Sequence, residues 1–144
     1  IQNNYDVIVL DCPPALGILT INALAAAKSV LIPVQCEYYA MEGLSRLIGS
    51  IERVKQSINL DLSIEGIVLT MFDARNTLAR QVSEQVRSHF GNKVYQSVIP
   101  RNVTLAEAPS YGRTGILYNA ASSGSQAYLS LAKEFIDHGE KSTR

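Results

Sequence analysis

The sequence predicts an α/β fold in three layers: a doubly wound, mainly parallel sheet with helices on both faces. Four short apolar runs, Tyr5 to Leu10, Ser29 to Val34, Ile64 to Phe72 and Val94 to Ile99, are continuous instead of alternating, as strands covered on both faces must be. The segments between and after them carry apolar residues at helical spacing, and the resulting βαβα order calls for right-handed crossovers. At 144 residues the chain fits one domain with a real core.

The elements follow in order. Val7, Ile8, Val9 and Leu10 lead into Asp11 and are broken by Pro13, Pro14 and Gly17, the pattern of a buried strand that delivers a carboxylate to a rim. "TINALAAA" fits a short helix opened by Thr20. After the second run, Met41, Leu44, Leu47, Ile48, Ile51, Val54 and Ile58 recur on one helix face. Leu78, Val82, Val86 and Phe90 do the same after the third, and Gly91 with Asn92 stops that helix. Pro100 holds Ile99 extended and fixes where Arg101 and Asn102 emerge. A last helix is predicted from Ser123 to Ile136, with Tyr128, Leu131, Ala132, Phe135 and Ile136 on its buried side. No repeat or linker divides the chain.

The composition is that of an ordinary globular protein, without a long apolar span or a signal-peptide pattern, and a cytosolic setting is the default. Cys12 and Cys36 lack zinc or disulfide spacing and read as reduced thiols near strand ends. Net charge is zero but uneven. Residues 1 to 73 carry eight acidic side chains against four basic ones, whereas from Ala74 to Arg113 six basic residues face only Glu84 and Glu107. Such asymmetry suits either a polyanion-binding surface or a solvated face.

In a doubly wound sheet the ligand sits outside the carboxyl ends of the strands. The residues there are Asp11-Cys12-Pro13-Pro14, Gln35-Cys36-Glu37, Asp73-Ala74-Arg75 and Pro100-Arg101-Asn102, all polar and turn-rich. Asp11 alone has three readings: a magnesium-assisting carboxylate of a P-loop enzyme, a phosphoacceptor or ribose contact, or a turn cap.

Longer stretches narrow the choice. "DCPPALGILTINALAAAKSVLIPVQCEYYAMEGL", "TMFDARNTLARQVSEQVRSHFG" and "VIPRNVTLAEAPSYG" together strongly resemble, in the same order, ParA- or Soj-type chromosome and plasmid partition ATPases, deviant-Walker members of the P-loop class. The resemblance covers nearly the whole chain but only the C-terminal part, somewhat over half, of such a protein, so that residues 1–144 would be the C-terminal portion of one ATPase domain. It implies that Asp11 orients a water in a magnesium shell, fitting for an ion that dehydrates reluctantly. It implies that Pro13, Pro14 and Gly17 belong to switch II, which responds to the γ-phosphate. Thr70, Met71, Pro100, Arg101 and Asn102 would form the adenine pocket, though strand-end packing alone would also account for Thr70 and Met71. Arg75, Arg80 and Arg87 would lie on a nonspecific DNA-binding surface whose phosphate contacts are independent of sequence and sensitive to salt. The implied cofactors are ATP and magnesium, and the implied partners are a second copy in a homodimer, DNA, and a ParB-type (Spo0J-like) protein, in a cytoplasmic, nucleoid-associated setting without a membrane.

Two alternatives differ in testable features. A MinD-like division-site ATPase needs a basic amphipathic C-terminal helix, whereas "SLAKEFIDHGEKSTR" balances Lys133, Lys141 and Arg144 with Glu134, Asp137 and Glu140. Nitrogenase-reductase-like proteins need cluster cysteines that Cys12 and Cys36 do not match. A non-catalytic module that binds DNA or protein without nucleotide is the reading from another class.

The family's glycine-rich phosphate loop with its lysines is not among these 144 residues, since none of the glycines forms G-x-x-x-x-G-K-[ST]. Truncation of the domain would also expose sheet edge and apolar face, which self-association or strand exchange would cover. Without amides and a lysine around the β- and γ-phosphates, positioning and charge stabilisation both fail, and these supply most phosphoryl-transfer catalysis. The 144-residue chain is therefore expected neither to bind ATP tightly nor to hydrolyse it. A magnesium-dependent phosphate release by the purified chain, lost in Asp11→Ala, would contradict this.

Overall fold

The computed structural model describes residues 4–13 and 17–142. Three parallel strands form its sheet in the order β1-β2-β3: β1 (Ser29–Gln35), β2 (Ser63–Phe72) and β3 (Val94–Pro100). β1 and β2 pair in regular register from Leu31 opposite Gly66 to Gln35 opposite Thr70. The helices are α1 (Ile18–Ala26), α2 (Ala40–Ser57), α3 (Thr77–Phe90), the short α4 (Val103–Glu107) and α5 (Gly115–Tyr118), and the long α6 (Ser123–Ser142).

Alternation along β2 divides the core. Ile67 and Leu69 face α1, α2 and α3, where Leu24, Leu44, Ile51, Val54, Val82 and Val86 meet Ile32 and Val34 of β1. Val68 faces the other way, joining Tyr95 and Ile99 of β3 and Leu131 of α6. Helix, sheet and helix thus make the three layers that the continuous apolar runs predicted. The turn after α2 adds a hinge pin, because the Asn59 amide donates to the carbonyls of Leu24 and Ala27 at 2.9 and 2.8 Å. Those carbonyls would otherwise be left open at the end of α1.

The first apolar run departs from expectation. Tyr5 to Leu10 is not a strand, pairs with no other segment among the described residues, and leaves Val7 54% and Val9 84% exposed. An apolar run specifies what a segment tends to bury, but a strand also needs a neighbour for its backbone N–H and C=O groups. No described strand serves as that neighbour. α1 likewise begins earlier than predicted: Ile21 N–H donates to the Gly17 carbonyl at 3.0 Å, so Gly17 is the N-cap and Thr20 is a buried residue of the first turn. α6 runs on to Ser142, and its buried stripe is narrower than predicted. Leu131 is buried and Phe135 partly so, whereas Tyr128, Ala132 and Ile136 are exposed, because α6 packs chiefly against β3.

Gly91 ends α3 with φ +55°, a conformation that glycine adopts at little cost. Gly66 is needed for a different reason. A Cβ placed there would lie 2.8 Å from Tyr95 Cδ2 and 3.1 Å from the Lys93 carbonyl oxygen, and Tyr95 is itself fully buried. Gly66→Ala should therefore destabilise the chain by about 1–3 kcal/mol through overpacking. In urea denaturation its cost should shrink when Tyr95→Ala opens the space; equal costs in both backgrounds would show that the ring is not the obstacle.

Candidate functional site

The carboxyl ends of the three strands meet at one rim. Cys36 N–H donates to the Thr70 carbonyl at 3.1 Å, carrying the β1–β2 ladder one residue past β1. On the other side Phe72 lies opposite Pro100, and Arg101 N–H donates to the Phe72 carbonyl at 2.9 Å. Between these two anchors Met71 has φ +53°, the left-handed region that a non-glycine residue enters at a cost. β2 turns there, and its pairing with β3 is irregular between Leu69 and Phe72. Thr70, Met71 and Pro100 are half-buried at this turn.

Charge bridges the same rim. Arg101 at the end of β3 pairs with Glu37 beyond β1 at 3.2 Å, across the width of β2. Asn102 is fully committed within the fold, its Oδ1 accepting from Leu105 N–H at 3.1 Å and its Nδ2 donating to Ser123 Oγ at 3.0 Å. It thereby caps α4 and ties α4 to the start of α6.

A carboxylate remote in sequence sets the rim's geometry. From Ile67 to Leu69 β2 advances two residues, while their partners on β3, Val94 and Val98, are four apart, so β3 bulges between them. Glu134 of α6 fills the bulge, its two carboxylate oxygens accepting from Gln96 N–H at 2.6 Å and Ser97 N–H at 2.8 Å. Burial raises the pKa of Glu134, but hydrogen bonds from Ser97 and Gln96 outweigh it and hold the carboxyl below its ordinary range.

The structure brings Thr70, Met71, Pro100, Arg101 and Asn102 together at the rim, but Asp11 stands apart. It is exposed, and among the described residues it makes no hydrogen bond or ion pair with the rim. Pro13 is exposed beside it, Gly17 caps α1, and Pro14 lies outside the described residues. The three arginines lie along the β2–α3 connection and α3. Arg75 binds Asp73 through Nε at 3.1 Å and a terminal nitrogen at 3.0 Å, and the hydrogen bonds from Arg75 hold the Asp73 carboxyl below its usual value. Arg80 donates to Thr77 Oγ1 at 3.3 Å and Arg87 to the Gln96 carbonyl at 3.4 Å. Arg80 and Arg87 are two turns apart, on one face of α3.

Sequence reasoning assigned no role to Glu37, Asp73 or Glu134. Glu37 and Asp73 do stand at strand exits, where polar residues gather, and that position was their signal. Glu134 gave none, since a glutamate in an amphipathic helix looks like a solvated surface residue.

The parallel three-layer segment has a P-loop NTPase-like fold, as its likeness to solved structures shows. The cobyrinic acid a,c-diamide synthase of Mycobacterium smegmatis is 34% identical, with a TM-score of 0.76 over 99% of this chain and 51% of that one. Its form with a bound ATP analog and magnesium overlays with a TM-score of 0.79. The "AAA domain" family model matches residues 1–64. Among curated proteins, the sporulation initiation inhibitor protein Soj of Bacillus subtilis is 57% identical over 96% of this chain and 55% of its own length. The chromosome partitioning protein ParA of Myxococcus xanthus is 57% identical over 92% of this chain and 47% of its own. Along nearly its whole length the chain is similar to proteins of the ParA/Soj type, and it spans about half the length of these curated relatives.

The clasp on the β3 bulge makes a pH-dependent contribution to stability. Because the folded pKa of Glu134 is lowered, the contribution is fully present above the ordinary value of 4.5 and is lost as pH falls through the lower folded value. Glu134→Gln should cost about 1–3 kcal/mol in urea denaturation near neutral pH, since a charge-assisted pair of hydrogen bonds is weakened. The gap between wild type and variant should close as the pH is taken down through the acid range. A gap independent of pH would mean that the carboxylate's charge contributes nothing.

Proposed function

We propose that the chain is the C-terminal portion of an ATP-dependent DNA-partition switch, in which nucleotide closes a homodimer, the dimer binds DNA without sequence preference, and a ParB-type partner stimulates hydrolysis and release. The observation that carries this reading is the likeness to Soj and ParA along nearly the whole chain, at up to 57% identity.

The rim fits one end of a nucleotide. The turn at Met71 and the irregular β2–β3 register would present backbone to the edge of a purine, with half-buried Pro100 beside them. Arg101 would close the pocket from the β3 side, while Asn102 would shape it through its cap on α4 and not by side-chain contact. The phosphate end does not fit these residues, because Asp11 is a lone carboxylate and the chain has no G-x-x-x-x-G-K-[ST] loop. Among the described residues no group of three His, Cys, Asp or Glu side chains could hold a metal ion. Asp11 is suited to a supporting role, accepting from a magnesium-bound water when the loop and phosphates come from elsewhere. Arg75, Arg80 and Arg87 would face the DNA backbone. The described residues contain no helix long and apolar enough to cross a membrane.

A gel shift against salt separates the switch from its rival. The parent-length protein, phosphate loop included, should retain nonspecific duplex DNA only with ATP and magnesium. Equally tight retention by the 144-residue chain without nucleotide would instead establish a free-standing binding module.

A further inference from the structure

Among the described residues, Arg75 alone of the three arginines above is bound to a carboxylate. Asp73, at the first residue beyond β2, accepts from Arg75 three times: Oδ1 from the backbone N–H at 3.0 Å and from Nε at 3.1 Å, and Oδ2 from a terminal nitrogen at 3.0 Å. The last two contacts form the paired fork that a guanidinium also presents to a phosphate group. The Arg75 side chain is 91% exposed and Asp73 only 28%, so the cation is displayed to solvent while the anion beneath it is held by the fold. Arg101, already tied to Glu37, stands close enough to act on Asp73 by charge as well. Asp73 thus keeps a second cation nearby when Arg75 turns away.

We propose that Asp73 is a built-in competitor for phosphate at Arg75: it occupies the guanidinium fork that a DNA backbone would use, and so sets the protein's DNA affinity below what its basic residues alone would give. The inference rests on the reading that this surface faces DNA. Arg80 and Arg87 carry no such restraint, since their partners are a hydroxyl and a backbone carbonyl. An exposed ion pair is weak, so the competition is a modest setting of affinity.

The test measures duplex DNA binding by fluorescence anisotropy across a salt series, on the parent-length protein with ATP and magnesium. Asp73→Asn keeps the Oδ1 acceptor for the Arg75 backbone and removes only the charge. It should tighten binding about two- to five-fold at low salt, the range set by an exposed ion pair. The log–log salt slope should steepen by about 0.9, for one more neutralised phosphate. Adding Arg75→Ala to Asp73→Asn should abolish the gain. Glu84→Gln, which removes an equal charge from α3 without touching Arg75, should change binding much less. If Arg75→Ala weakens binding but Asp73→Asn leaves affinity and slope unchanged, or if Glu84→Gln has the same effect as Asp73→Asn, the competitor role is refuted and the DNA surface stands. If Arg75→Ala itself leaves binding unchanged, the placement of DNA at Arg75 fails and the competitor role falls with it.

Discussion

A single carboxylate decides where β3 ends. The two oxygens of Glu134 hold consecutive backbone N–H groups of Gln96 and Ser97, and the bulge so fixed lets Val98 meet Leu69 and Pro100 meet Phe72. The contacts on the β3 side of the rim follow from that register. Arg101 N–H reaches the Phe72 carbonyl, its guanidinium reaches Glu37, and Asn102 is delivered to the start of α4 and the first residue of α6. α6 therefore grips β3 at two points, by Glu134 at the bulge and by Ser123 at the exit. The bulge leaves two backbone donors without a ladder partner, and the carboxylate accepts from both.

The two faces of the sheet are unequally filled. Three helices and their apolar stripes cover one face, where Ile51, Ile67, Leu69 and Val86 are almost wholly removed from water. The other face carries the smaller cluster of Val68, Tyr95, Ile99 and Leu131, and it does not extend beneath β1, where Leu31 remains 40% exposed. The tight fit of Gly66 under Tyr95 lies where β2 and β3 approach on that thinner side. Close packing there compensates for the narrow contact that α6 can offer.

Much of the fold was legible from periodicity. β1, β2 and β3 fall within a residue or two of the apolar runs, and α2 and α3 match their helical stripes, because both signals are local and both are satisfied by neighbours within the chain. The run from Tyr5 to Leu10 was misread for the same reason that it was conspicuous: its apolar character is local, but its ladder is not. Thr20 shows how a good capping residue loses to the backbone, since Gly17 already offers its carbonyl to Ile21. At the site, the residues that gather at strand ends could be anticipated from topology, including Thr70, Met71, Pro100 and Arg101. The bond from Asn102 to Ser123, the bond from Glu37 to Arg101 and the clasp of Glu134 could not, because each joins residues far apart in sequence and only the register brings them together.

Met71 gives the rim a thermodynamic bias. A left-handed non-glycine residue costs on the order of 1–3 kcal/mol, and it persists here because hydrogen bonds at Thr70 on one flank and Phe72 on the other overdetermine it. Loosening either flank would let the residue relax, and even the lower figure is a several-fold shift in population. The end of β2 is thus a strained strand terminus held in place by its two flanks. Whatever strengthens the two flanking bonds together selects the tense arrangement, and whatever breaks one of them is helped by the release of strain.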